Sequence, residues 1–358
     1  MFKRTLIGAA VAAAAISGSA NAAIQLAGDA VQLYGQAAIS YQYWSADHAD
    51  KENTVVAEVE SRFGLRGTVE FEDFGPDLVW QMESGNAANG GGNDKGQGAL
   101  GGRDTFIGFA FDGLGSIKYG RQLVAAYNYV DWPHTNPGLG NVFDWHNAIG
   151  AGYTDRVNNN LRFDSETFGG FNFQATISGM DKTTDAMVAS VAGSYTVDGL
   201  SVHAGHYTQD EYGDNKGDIS YTILGGSFST GPMTFTAGYK MMENGNYQAK
   251  DASDQATGPY MSNDQNAMSV TAAYNHDGAW LYKVGYAQTF ESDKGSDDES
   301  TAITARVMRM LPSAVIYVDV RNYDMNKAYF KKSDGGDDKY HDDLNDGTRI
   351  MLGTEYYF

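Results

Sequence analysis

From Val31 to its last residues the chain alternates between apolar and polar side chains with a period of two. In residues 31–44, VQLYGQAAISYQYW, one side of an extended chain carries Val31, Leu33, Gly35, Ala37, Ile39, Tyr41 and Tyr43. The other carries Gln32, Tyr34, Gln36, Ala38, Ser40, Gln42 and Trp44. In residues 58–71, EVESRFGLRGTVEF, Val59, Phe63, Leu65, Val69 and Phe71 oppose Glu58, Glu60, Arg62, Arg66, Thr68 and Glu70. A helix would scatter both sets around its circumference, so the pattern reads as strand.

The same period predicts about sixteen strands, at 30–44, 54–72, 77–84, 103–112, 115–121, 156–165, 170–179, 186–197, 199–209, 217–229, 231–241, 265–275, 279–290, 299–311, 313–323 and 347–358. Short connections such as 112–115, 168–169, 197–199, 230–231 and 311–312 take turns with longer polar ones at 45–53, 85–102, 122–155, 242–264, 291–298 and 324–346. Every second connection is short, so the short ones share one rim of an antiparallel meander. That is the pattern of an outer-membrane barrel. High Gly (44), Tyr (23) and Phe (17) with only 6 Pro suits strands and tight turns. A soluble β-sandwich would need two domains and a linker, and no composition break marks one. The polar faces also carry mid-strand charges, among them Glu60, Arg62, Arg162, Lys283, Arg306 and Asp319, which suit a water-filled interior. The expected fold is all-β, a 16-stranded antiparallel transmembrane β-barrel.

Both ends fit export to such a membrane. Lys3 and Arg4 precede an apolar run from Leu6 to Ile16 and the small-residue sequence Ala20-Asn21-Ala22, the layout of a cleavable signal peptide over residues 1–22. Residues 23–358 then form one barrel domain. The run is too short to span a bilayer as a helix, and no apolar run of about 18 residues follows it. At the other end, IMLGTEYYF places Ile350, Leu352, Thr354, Tyr356 and Phe358 on one face. A last strand must pair with the first to remove the barrel's edge, which would set Tyr356 and Phe358 in the aromatic girdle at the membrane interface.

Other chemistries lack their residues. With no Cys, disulfides, zinc–thiolate sites, thiol catalysis and a lipid-anchored cysteine are excluded. A formal charge of −20 and no basic stripe exclude nucleic acid as a partner. The seven His are scattered, no G-x-S-x-G occurs, and His203 and His206, three apart on a strand, point to opposite faces. The stretch GGGNDKGQGALGG (90–102) lacks the strand-to-helix setting of a phosphate loop, and no EF-hand spacing occurs. No enzyme, cofactor or metal site is expected.

The segments VQLYGQ, SRFGLRGTVEF, RDTFIGF and GSIKYGRQ, then DRVNNNLRFDSETFGGFNF, and the terminal YYF, in this order, resemble the trimeric general diffusion porins of Gram-negative outer membranes. The resemblance covers most of the chain after residue 22. It implies sixteen strands, a homotrimer and a long third loop folded into the lumen. Here that loop is 122–155, whose Trp132, Phe143 and Trp145 would be out of place on a solvated tip. In similar porins loop acids face wall arginines across the narrowest point. Carried over motif by motif, the wall candidates are Arg62, Arg103 and Arg156, with Arg66 on the face of Arg62 and Arg121 at the loop's root. The loop acids are Asp131 and Asp144. Two departures stand out: Gln36 follows LYG where many relatives carry a basic residue, and the loop tip reads NPGLGNVFDW without an acidic Pro-Glu-Phe-type sequence. The implied function is a water-filled channel for passive diffusion of small hydrophilic solutes and ions. Fewer wall cations and the acidic balance predict a cation preference. The implied partners are outer-membrane lipid, lipopolysaccharide and the assembly machinery, for which a terminal aromatic strand serves as a signal in this class. The alternatives are a substrate-specific channel, and a non-conducting barrel acting as an adhesin or an enzyme.

Overall fold

The structure is a computed structural model and describes residues 23–46, 53–86, 98–145, 147–179, 186–210, 217–248, 258–295, 297–325 and 346–358. The expected signal peptide, residues 1–22, lies outside them, as does most of the connection 324–346.

The first strands are β1 (Ile24–Ala27), β2 (Val31–Ala46), β3 (Thr54–Val59), β4 (Arg62–Phe71), β5 (Phe74–Ser84), β6 (Leu100–Phe111) and β7 (Gly115–Leu123). After a long segment come β8 (Arg156–Ser165), β9 (Phe171–Gly179), β10 (Met187–Val197), β11 (Leu200–Gln209) and β12 (Ile219–Thr230). The remainder are β13 (Met233–Tyr247), β14 (Met261–His276), β15 (Trp280–Thr289), β16 (Ser300–Leu311), β17 (Ala314–Met325) and β18 (Gly347–Tyr357). Strands β3 and β4 run one after the other along β2 and act as one barrel strand, and the short β1 folds back on the start of β2. Sixteen barrel strands result among the described residues, each antiparallel to its neighbours, and β18 pairs with β2 to close the ring.

The alternation read from the sequence is the alternation of the wall. In β11, Ser201, His203, Gly205, Tyr207 and Gln209 turn inward while Leu200, Val202, Ala204 and His206 are exposed. In β16, Ala302, Thr304 and Arg306 are buried while Ile303, Ala305 and Val307 are exposed. Ile39, Tyr41, Ile107, Val284, Ile303 and Leu352 all lie open on the outer face. A band of that size in water would aggregate; in a bilayer it is solvated by lipid. The barrel's buried cluster therefore sits inside. There Val130, Leu139, Val142, Phe143 and Ile149 of the long segment pack on inward side chains such as Tyr207, Tyr221, Ile223 and Tyr323.

Four strands depart from the expected bounds by three residues or more, one of them β6, which begins at Leu100 and not 103. Strand β5 begins at Phe74, not 77, because the turn is confined to Glu72–Asp73 and Phe71 pairs with Phe74. Strand β13 continues through MMENGNY to Tyr247, and β14 begins at Met261 opposite it. Within the expected connection 242–264, Asn244-Gly245 is absorbed in a register shift between Asn244 and Tyr247.

Candidate functional site

Between β7 and β8 the long segment forms a short helix, α1 (Tyr127–Asp131), and a π-turn at Asn141–Trp145. Isolated turns this short are not stable alone. Their stability comes from inward side chains of the wall. The amides of Ala125 and Ala126 donate to Thr176 Oγ1 (3.2 Å) and Ser190 Oγ (2.9 Å) on β9 and β10. Further on, Ser269 Oγ donates to the His134 carbonyl (2.7 Å), Tyr323 OH to that of Gly138 (2.8 Å) and Asn244 Nδ2 to that of Ile149 (2.6 Å). These partners lie on β13, β14 and β17, so the segment is held along the inner faces of strands from β9 to β17. Phe143 is fully buried and Trp132 half-buried beneath the Lys283 ammonium, whereas Trp145 is exposed.

The wall from β2 to β8 carries most of the charges expected from the sequence. Arg103 Nε donates to Glu83 Oε1 at 2.5 Å, and Tyr34 OH donates to the other oxygen of Glu83 at 2.8 Å. Arg62 lies within electrostatic reach of Arg103 and Glu83, and its Nη1 approaches Asn86 Oδ1 at 3.4 Å. Arg156 Nε donates to Asp104 Oδ1 at 2.7 Å. Asp131, at the end of α1, keeps an edge open to solvent and accepts from Thr135 Oγ1 (3.1 Å). The protein crowded around it, and then the Asp144 carboxylate, push its pKa up. Arg103 and Arg156 are near enough to oppose that rise. Arg62, Arg103, Arg156 and Asp131 thus form one electrostatic neighbourhood.

Three expected residues stand apart from it. Arg66 is four residues further along β4, about 13 Å by strand rise, where it covers the Tyr34 ring (4.8 Å) and reaches Gln32. Arg121 donates to the Gly102 carbonyl (3.1 Å) and to Asn158 Oδ1 (2.9 Å) at a slip in the β7–β8 register. Asp144 does not face the arginines at all. It is buried on the far side of the segment, paired with Lys240 of β13 at 2.7 Å, and the Lys240 ammonium also lies over the Tyr153 and Tyr221 rings (4.9 and 4.6 Å). A carboxylate amid apolar packing keeps its charge only with such a partner. Burial, and then repulsion from Asp144, push neighbouring Asp155 up to about 7, with Lys240 opposing.

The sequence reading missed Glu83, Asp104 and Lys240. Glu83 was legible as the polar partner of Gln81 around Met82. Asp104 sits where Ser84 pairs with Leu100 across a bulge, which breaks the parity that would have placed it. The terminal residues lie as the alternation requires: Phe358 N and O both bond to Gly35 (3.1 and 2.8 Å), and the exposed Tyr356 ring stacks near that of Phe358 at 6.2 Å.

A sequence model of the Gram-negative porin family matches residues 9–328. The chain belongs to that family. Among curated relatives, the chitoporin of Vibrio furnissii is 32% identical over 345 residues, covering 89% of this chain and 93% of its own. The putative outer membrane porin protein NmpC of Escherichia coli K12 is 26% identical, over 82% and 84%. Among solved structures, the anion-selective porin from Comamonas acidovorans superposes with a TM-score of 0.70 at 18% identity, covering 92% of this chain and 99% of that one. OmpF of Salmonella typhi, solved with daunomycin, gives 0.69 at 18% identity over 92% and 97%. The porin described here is a channel of the outer membrane, through which solutes diffuse passively, and not an enzyme.

Proposed function

We propose that this porin is a diffusion channel for small hydrophilic solutes and ions, narrowed by segment 122–155 lying inside the barrel, and that it prefers cations. The observation that carries the reading is the placement of the segment. It is bonded to inner faces from β9 to β17, while solvent-exposed Asp131 stands in the field of Arg103 and Arg156 on the other side. Opposed charges across a narrow aqueous gap make a transverse field, which favours solutes with alignable dipoles over apolar ones. The cation preference is supported by the pairing of the wall cations: Arg103 with Glu83, Arg156 with Asp104, Lys118 and Arg162 with Asp164, Arg306 and Arg321 with Asp319. These six cations share four carboxylates, so much of the basic charge of the wall is offset, within a chain of net charge −20.

The exposed apolar outer face supports assembly in outer-membrane lipid as a homotrimer, the state in which OmpT of Vibrio cholerae, of the same fold at TM-score 0.66, has been solved. Contact with lipopolysaccharide, and recognition of the terminal Tyr356–Phe358 strand by the assembly machinery, complete the proposal. Planar-bilayer recording of the purified barrel under a KCl gradient tests it. Conductance arriving in threes with a cation-sided reversal potential is expected; a folded barrel that never conducts overturns it.

A second reading, a channel selective for chitin-derived sugars, rests on the name of the chitoporin relative and on aromatic rings on the inner wall, notably Trp44 under Arg349 (5.2 Å). Blockade of the ion current by chitin oligosaccharides but not by maltose oligosaccharides of equal length would favour it.

A further inference from the structure

Beneath the long segment the inner wall carries glycines at positions whose φ does not call for them. Gly225 of β12 and Gly238 of β13 face each other in register, and neither has the positive φ that favours glycine. What they leave room for is the ring of His134. A Cβ at Gly238 would lie 2.8 Å from His134 Cγ and Nδ1 and 3.0 Å from Cδ2, its three nearest atoms. One at Gly225 would lie 2.6 Å from His134 Nε2 and 2.9 Å from both His203 Nε2 and the Ala237 carbonyl oxygen. These separations are inside van der Waals contact, so no side chain at either position can coexist with the ring where it sits. The fully buried ring is then held by a hydrogen bond of 2.9 Å between the Nε2 atoms of His134 and His203. His203 is itself stacked on Tyr129 of α1, with centroids 4.8 Å apart. The same device recurs along the segment: Gly285 of β15 makes room for Leu139, and Gly205 of β11 for Ala126, with missing-Cβ distances of 2.6 and 2.9 Å.

We propose that His134 is the positioning residue of the constriction. Its imidazole, seated in the Gly225–Gly238 notch and bonded to His203, sets how far the segment stands off the wall and so the width of the gap in front of Arg103 and Arg156. This rests on the channel reading above, with the segment as its narrow point. The notch explains why the unstrained Gly238 is glycine and why a histidine of the segment lies buried against β12 and β13, while at Gly225 the Ala237 carbonyl crowds a side chain as well. Gly238 is the decisive position, since the nearest atoms to its absent side chain all belong to His134.

The test uses the full-length barrel. The chain has no Cys, so Val142→Cys, at a fully buried position of the segment, supplies a single thiol whose reaction with a water-soluble maleimide reports release from the wall. Labelling rate, single-channel conductance and heat-modifiable electrophoretic mobility are compared for Gly238→Ala, His134→Ala, the two combined, and Gly75→Ala, a β5 glycine with nothing within 4 Å of its missing Cβ. Gly238→Ala is expected to raise the labelling rate at least about tenfold, the scale set by loss of one buried hydrogen bond, and to shift the conductance. Added to His134→Ala it is expected to change nothing further, while Gly75→Ala behaves as wild type. If Gly238→Ala alone does not fold but the double variant does, the seat is supported, because removing the ring removed the clash. A folded Gly238→Ala barrel that labels and conducts as wild type overturns the proposal, as does a double variant showing the full additional effect or failing to fold. A folded wild-type barrel without conductance would instead overturn the channel reading, with the labelling rates still deciding the seat.

Discussion

Asp131 and Asp144 of the long segment differ by which side of it they occupy, and that sets what each can do. Asp144 is half of a buried ion pair whose partner, Lys240, has no exposed surface. Removing one member leaves an uncompensated charge among apolar groups, a cost of about 3–5 kcal/mol, whereas replacing both with apolar residues of similar volume is often neutral. Lys240→Met is therefore expected to lower the guanidinium midpoint of the folded barrel markedly, and Lys240→Met with Asp144→Leu to recover most of the loss; equal midpoints for the two variants would contradict the pairing. Asp131 has the opposite surroundings, open to solvent and within reach of Arg103 and Arg156. Arg103→Ala removes a cation from that field and should raise the cation-to-anion permeability ratio by a factor of about two to five, the effect of a change of ~0.5–1 kcal/mol in the energy of an ion passing several Å away.

The segment as an element is held by groups whose titrations oppose one another. His134 is pushed down from 6.5 to about 3 by burial, His203 and Lys283. A seated His134 thus binds fewer protons than a released one between those values, and its contribution weakens as pH falls from 6.5 towards 3. Asp155 is pushed up from 3.8 to about 7 by burial, Asp144 and Asp131, against Lys240 and the Tyr221 hydroxyl. Its contribution is full at low pH and is lost as pH rises towards 7. Each slope is about 1.4 kcal/mol per pH unit, so between pH 4 and 6.5 they largely cancel, and below pH 4 only that of His134 remains. Amide hydrogen exchange across residues 126–149, corrected for intrinsic rate, should be nearly flat over that middle range and quicken in stronger acid. In His134→Gln the acid limb should vanish and protection should instead fall as pH rises towards 7. Little of this was legible in the sequence. The strands were, because a wall one residue thick between lipid and interior writes both solvents into a period of two, as in β11 and β16. The segment has no such period. Its partners (Lys240 for Asp144, His203 and Gly238 for His134) lie 69 to 104 residues away, and only the closed ring brings them together. Its length and aromatic content therefore marked it as packed without saying which acid would face the arginines.

At the scale of the whole molecule, a chain of net charge −20 forms an interior wall in which opposite charges are interleaved strand by strand. Closure makes that interleaving possible, since β18 on β2 leaves a single continuous inner surface with no edge. On the proposed cation preference, selectivity would arise from a small imbalance summed over many partly solvated groups. Such a sum is long-ranged and is screened by salt: the Debye length falls from about 10 Å at 0.1 M to about 3 Å at 1 M. The cation preference is accordingly expected to decline towards unity as KCl rises from about 0.1 to about 1 M at a fixed gradient ratio. Glu83→Gln, which leaves Arg103 without its partner, should lower the ratio at 0.1 M and make little difference at 1 M. A preference that persisted unchanged at 1 M would place selectivity in short-range coordination or in the width of the gap, and would move the explanation from the wall's field to the segment that sets its spacing.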